Sequence, residues 1–148
     1  MSDITSFESR TGKLNYSAEE IYYFVTDIRN FRRFIPDNTI SNLKVEQDSC
    51  SFQANMLGTV NIRITERVMF NKIVFSGNAP NVNDFSLIME LHNTGKNQSE
   101  VKFTLLAEMN PLFKMVATEP VKRFLEILVQ EMEKFSDWKN TTEYNQPL

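Results

Sequence analysis

Between Ile40 and Met109 apolar and polar residues alternate with period two, whereas on either side they recur at spacings of three and four. Period two is the mark of a strand with one covered face, and a period near 3.6 that of a helix with an apolar stripe. Ser41, Leu43 and Val45 alternate with Asn42, Lys44 and Glu46, and Gln47-Asp48-Ser49 predicts a turn. Phe52, Ala54 and Met56 alternate with Ser51, Gln53 and Asn55 up to a turn at Leu57-Gly58. Val60, Ile62 and Ile64 alternate with Asn61, Arg63 and Thr65 in the clearest strand. After Asn71-Lys72 come Ile73, Phe75 and Gly77, then a polar loop from Asn78 to Asp84. Phe85, Leu87, Met89 and Leu91 form the next strand, and Val101, Phe103, Leu105, Ala107 and Met109 the last. Short turns between successive strands imply an antiparallel meander with one face covered.

The flanks supply the cover. Asn110 suits an N-cap and Pro111 a first helical position, where a missing N–H would have had no partner. From there Leu112, Phe113, Val116, Ala117, Val121, Phe124, Leu125, Leu128, Val129, Met132 and Phe135 mark one face of a helix reaching Trp138. Pro120 predicts a bend or break near Thr118–Glu119. Residues 4–15 read as a first strand whose facing stays open: Phe7, Ser9 and Thr11 share one side, and Glu8, Arg10, Gly12 and Leu14 the other. Ser17-Ala18-Glu19-Glu20 is a capping box that starts a short helix with Ile21, Phe24 and Val25 inward. Thr26-Asp27 breaks it, and a second short helix carrying Phe31, Phe34 and Ile35 ends at Pro36-Asp37-Asn38. The expected architecture is α+β: strand, two short helices, six strands, long helix, in one domain over residues 1–138. Residues 139–148 are polar and aperiodic, a loose tail.

A chain of 148 residues, 41% hydrophobic and 24% charged, can bury a sizeable core. The net charge of −3 is scattered and gives no support for nucleic-acid binding. Lys13, Arg29, Arg32 and Arg33 read as solvated surface. A single cysteine, Cys50, excludes an internal disulfide, and no stretch has the ~18 apolar residues of a membrane span. Without a visible secretory signal the expectation is a soluble, cytoplasmic protein. Twelve Phe and seven Met beside four Gly predict an interior of large, partly flexible side chains.

Candidate chemistry is sparse. His92, the only histidine, has outward parity beside a turn and no second histidine to work with. Cys50 has no basic neighbour in sequence to activate its thiol. Glu66 continues the inward parity of Val60, Ile62 and Ile64, and a carboxylate in an apolar cavity would have the raised pKa of a proton-transfer acid. A bulge or strand end turning it outward is the alternative. Glu8 and Arg10 either point inward as a buried pair or stand in solvent. Thr104 and Glu108 alternate away from the apolar positions. No His/Cys/Asp cluster has metal-ligand spacing, four scattered Gly build no phosphate loop, and no cofactor is expected.

The stretch Leu14-Asn15-Tyr16-Ser17-Ala18-Glu19-Glu20-Ile21-Tyr22-Tyr23-Phe24-Val25-Thr26-Asp27, with Phe31-x-x-Phe34-Ile35-Pro36 after it, resembles the opening of the START and birch-pollen-allergen-like helix-grip superfamily. That superfamily, SRPBCC, includes polyketide cyclase/dehydrase-like proteins, and the resemblance covers about residues 5–138. It implies a curved sheet of about seven strands gripping the long helix around a cavity for a lipid, polyketide or isoprenoid-like molecule. Phe34, Phe52, Ala54, Met56, Ile62, Ile64, Phe75, Phe85, Leu87, Met89, Phe103, Leu105, Met109, Phe113, Val116, Phe124 and Leu128 would line it. Turn parity places Pro36–Asn38, Leu57–Gly58, Asn78–Asp84 and Asn110–Phe113 around one mouth. Three functions compete. The first is a carrier or sensor of an apolar small molecule. The second is a cyclase- or dehydratase-like enzyme using Glu66. The third is an interaction module with a packed core, a homodimer or a complex with another protein, with exposed apolar surface near Phe31, Phe34 or Trp138.

Overall fold

The structure, a computed structural model, describes residues 3–35, 40–54, 58–80, 82–136 and 138. Eight strands and three helices follow in the order β1 (Asp3–Glu8), β2 (Gly12–Leu14), α1 (Ala18–Val25), α2 (Ile28–Phe31), β3 (Ile40–Val45), β4 (Ser49–Ala54), β5 (Gly58–Val68), β6 (Lys72–Ala79), β7 (Val82–Gly95), β8 (Gln98–Met109) and α3 (Pro111–Lys134). A 3₁₀ turn, Arg32–Phe34, continues α2. One antiparallel sheet runs β1-β8-β7-β6-β5-β4-β3, with β2 also paired to β8. The meander is as the alternation predicts.

The N-terminal stretch is not one strand. Glu8 pairs with Thr104 and Gly12 with Val101, so four steps along this strand oppose three along β8. One extra residue is a bulge, and it exchanges the faces. Phe7 and Leu14, of opposite parity, are therefore both buried. Ser9 fills the break, donating its N–H to the Phe103 carbonyl and accepting from the Phe103 N–H on its hydroxyl, both at 2.9 Å. Glu8 and Arg10 stand in solvent, Glu8 paired with Lys102 at 2.9 Å.

The caps expected at Ser17 and Asn110 form, and Asp27, expected only as a break between the short helices, is a further cap. Ser17 accepts from the Glu20 N–H at 3.2 Å and donates its hydroxyl proton to the Glu20 carboxylate at 3.3 Å. Asp27 caps α2, accepting from the Arg29 N–H at 2.9 Å, and Asn110 caps α3, accepting from the Phe113 N–H at 2.8 Å. Two expectations for α3 are corrected. It runs unbroken through Pro120, with Thr118 donating its hydroxyl to the Lys114 carbonyl at 2.6 Å. It also stops at Lys134, short of Trp138, because Phe135 is extended (φ −73°, ψ 139°). The chain then turns Phe135 and Trp138 into an aromatic cluster with Phe24 and Phe34, ring centroids 4.9–6.3 Å apart.

α3 packs mainly on β1, β2, β8 and the 3₁₀ turn, along one side of the sheet. At Gly12 it comes so close that an added Cβ would lie 2.6 Å from Val129 Cγ1, which leaves room for glycine only. Ala117, Leu125, Leu128, Val129 and Met132 are buried, whereas Leu112 and Val116, expected on the same inward stripe, are exposed. Phe31, Phe34 and Trp138 are buried, so the exposed patch expected around them is absent.

Candidate ligand-binding face

The register fixes what shares the inner face. Thr5, Ala107, Phe85, Gly77, Ile62, Cys50 and Val45 form one row across seven strands. Phe7, Leu105, Leu87, Phe75 and Ile64 form the next row, towards the β7–β8 turn. Gly77 is the gap in the first row, and the Phe85 ring lies over it: an added Cβ would meet that ring at 2.6 Å and the Asn61 carbonyl at 2.5 Å.

Along this face the packing varies from residue to residue. Phe34, Phe52, Ile64, Phe75, Leu87, Met89, Phe103, Met109 and Leu128 are buried. Ala54, Ile62, Phe85, Leu105, Phe113 and Phe124 are half-buried against that core. Val116 is 57% exposed and leaves the expected lining, while its neighbour Ala117 is buried, so the inward stripe of α3 passes through Ala117 rather than Val116. Met56 lies outside the described residues, as do Pro36–Asn38 and Leu57 of the expected mouth. The described remainder shares one edge of the sheet. A Cβ on Gly58 would touch Pro80 at 3.2 Å, Asn61 pairs with Asn78, and Asp3 pairs with Met109 just before α3.

Two positions escaped the alternation. Ile40 and Leu43, of opposite parity, are both half-buried against the core because a bulge separates Ser41 from Lys44. Ser41, expected inward with Leu43, is exposed. The available signal was Asn42, which takes φ +54°, a backbone angle that asparagine tolerates well.

The titratable groups sort clearly. Glu66 does not face the interior: Ile64 pairs with Phe75 and Glu66 with Val74, so a bulge intervenes and reverses its facing. Its side chain is 52% exposed and pairs with Lys72 at 3.2 Å, which removes the inward acid the enzyme reading needed. His92 is an exposed partner of Glu100 at 3.0 Å. Burial pushes the Cys50 thiol up to about 11, leaving almost no thiolate at neutral pH. The buried polar side chains recorded are Asp27, Asn30 and Ser99. Asp27 pairs with Arg29 at 2.6 Å, the Asn30 amide donates to the Phe24 carbonyl at 3.0 Å, and Ser99 donates to the Tyr16 carbonyl at 2.8 Å. All three hold backbone or helix ends.

No family model and no curated protein sequence matches the chain. Solved structures do. A START superfamily protein from Mycobacterium smegmatis superposes with a TM-score of 0.63 at 13% identity, over 90% of this chain and 99% of that one. The fold is the helix-grip fold. Truncated norcoclaurine synthase from Thalictrum flavum gives 0.68 at 9% identity, over 91% and 97% of the two chains. XoxI from Bacillus cereus gives 0.66 at 14% identity, over 90% and 94%. Identities this low speak for the fold alone. Within the helix-grip frame the present chain grips tightly over the second half of α3 and loosely over the first. Among the described residues no helix is long and apolar enough to cross a membrane.

Proposed function

We propose that this protein binds an apolar small molecule between the inner face of the sheet and the first half of α3, as a carrier or sensor. One observation carries the reading. Ile62, Phe85 and Leu105 on the inner face of the sheet, with Phe113 near the start of α3 and Phe124 just past its middle, are half-buried against the core rather than closed into it. Half-buried apolar side chains retain contact area that a ligand can cover, and about 25 cal/mol per Å² of that area favours binding. Apolar walls with few polar groups are the ordinary composition of a small-molecule site. Binding in this reading needs no proton transfer, in keeping with the outward Glu66 and the suppressed Cys50 thiol.

Mass spectrometry of the purified protein, native and then denatured, tests it together with titration of the neutral fluorophore N-phenyl-1-naphthylamine. The expected result is a co-purifying apolar mass released on denaturation, or saturable one-to-one fluorophore binding that Ile62→Lys weakens. A clean native spectrum together with linear, unsaturable fluorescence would overturn the reading.

A further inference from the structure

The large apolar side chains exposed among the described residues fall at opposite ends of the molecule. Ile4, Leu112, Met115 and Val116 stand where β8 enters α3, and Tyr23, Val68 and Met69 at the other end. The second group surrounds a feature the ligand-binding reading does not use. The Tyr22, Tyr23 and Phe70 rings lie mutually edge to face, centroids 5.8, 5.6 and 5.5 Å apart and planes 74–84° to one another. Tyr22 is buried beneath, and Tyr23 is 57% exposed. Phe70 is the third residue of the turn closed by the Asn71 N–H on the Val68 carbonyl at 2.9 Å, and its φ is +66°. A turn of that shape favours glycine or asparagine at this position, and a bulky side chain there is strained. The chain keeps an aromatic ring where a smaller residue would suit the backbone better, and such outliers gather at binding surfaces.

The charge around the rings has a sign. Of the cations that flank Phe70 in sequence, Lys72 is engaged by Glu66, and Arg67 by Asp48 at 2.5 Å. Glu19 lies one helical turn before Tyr23, on the same face of α1. Its carboxylate is held by a neutral group, the Asn93 amide at 2.9 Å, and keeps its negative charge. Ring faces attract cations, and a fixed carboxylate beside them adds to that attraction.

We propose that Tyr22, Tyr23 and Phe70, with Glu19 at their margin, form a docking site for an arginine or lysine side chain carried on an apolar segment of a partner protein. Val68 and Met69 meet the apolar neighbours of that residue, and the exposed Tyr23 ring and Glu19 meet its charge. The site is independent of the inner face of the sheet, so ligand binding and docking can be tested separately.

NMR of the full chain, titrated with acetyl-Leu-Arg-Leu-amide and with its citrulline twin, tests the proposal. Citrulline keeps the shape of arginine and removes the charge. Saturable shifts of the Tyr23 and Phe70 ring protons are expected with the arginine peptide, with the citrulline peptide binding about fivefold more weakly. Tyr23→Ala and Phe70→Asn should each abolish the shifts elsewhere in the patch. Asparagine accepts the left-handed backbone angle, so Phe70→Asn removes the ring while keeping the turn. Glu19→Gln should weaken the arginine peptide alone. Equal binding of the two peptides, binding that survives Tyr23→Ala and Phe70→Asn, or no shift up to roughly 10 mM peptide would overturn it.

Discussion

Where β7 turns into β8, the helices and strands are tied by specific long-range bonds. Where β8 enters α3, apolar residues meet with few such ties. At the first end Asn93 accepts from the Ala18 N–H at 2.9 Å and holds Glu19, and Ser99 holds the Tyr16 carbonyl. Arg67 donates to the Thr26 hydroxyl at 2.6 Å and to Asp48, joining α1 to the β3–β4 turn. Arg10 and the Lys13 N–H fasten Glu133 on the last turns of α3. At the second end the side-chain bonds recorded for the first turns of α3 stay within the helix and its own cap. Both ends are rich in aromatic and aliphatic residues. The difference is that polar groups tie separate elements together at one end, even though Tyr23, Val68 and Met69 stand exposed there. At the other the exposed Leu112, Met115 and Val116 sit on a helix start without such ties among the described residues. A binding face needs that second condition.

The sharpest way to break this comparison is to empty each end in turn. Trp138 is 2% exposed and touches Phe24, Phe34 and Phe135. Trp138→Ala should cost about 3–5 kcal/mol in urea unfolding. Met115→Ala, at the exposed start of α3, should change stability by no more than about 0.5 kcal/mol. Equal losses would mean that the two ends are packed alike. A smaller loss tests the polar ties. Asp27 is buried, caps α2 and pairs with Arg29. Asp27→Ala should therefore cost about 2 kcal/mol and leave fluorophore binding at the other end unchanged.

These contrasts also show what the residue pattern could reveal. Strand order, the Ser17 and Asn110 caps and the long covering helix follow from period and local chemistry, and the helix-grip architecture from the resemblance carried by residues 14–36. Facing is harder. Each of three bulges, after Glu8, after Ser41 and after Ile64, adds one residue, and one residue exchanges the faces of everything beyond it. Counting from Ile64 alone points Glu66 inward, and the bulge between them, the alternative the sequence left open, turns it outward. Val116 fits the apolar stripe of α3, but stripe membership does not say which of its residues meet the core. That depends on where α3 crosses, which is set by the Gly12–Val129 approach and the Arg10 ties. Both are long-range contacts that no local window contains.

Pro120 offers a gentler test. It has no N–H to give the Val116 carbonyl, so the helix lacks one bond between its loose and its fastened halves. Pro120→Ala should stabilise the fold by about 1 kcal/mol, the gained bond being offset in part by a freer unfolded chain. Hydrogen exchange should slow at the amides of residues 114–119. If exchange there is already as slow as at Leu128 in the unchanged protein, the first half of α3 is no looser than the second.

The smallest effect separates the ends by pH. Arg10 donates from Nη2 and Nη1 to both Glu133 oxygens, at 2.6 and 2.9 Å, and from Nε to Glu126 at 2.9 Å. The Arg10 bonds, helped by the Lys13 N–H and opposed by partial burial, hold the Glu133 carboxyl below its ordinary value of 4.5. A carboxyl whose pKa is lower folded than unfolded stabilises the fold above the unfolded value, and that stability is lost as pH falls through the folded one. The loss should thus begin below about pH 5. The side chains are 42% and 28% exposed, so water screens the pair and the effect should stay under about 1 kcal/mol. Urea unfolding at pH 5.5 and pH 3 should give a shallower decline for Glu133→Gln than for the unchanged protein, and about 1 M salt should narrow the difference. Because this tie fastens only the second half of α3, fluorophore binding at the first half should follow global unfolding and show no step of its own. A separate loss of binding near pH 4, before unfolding, would mean that the Arg10 clasp reaches across Pro120 and shapes the binding face as well.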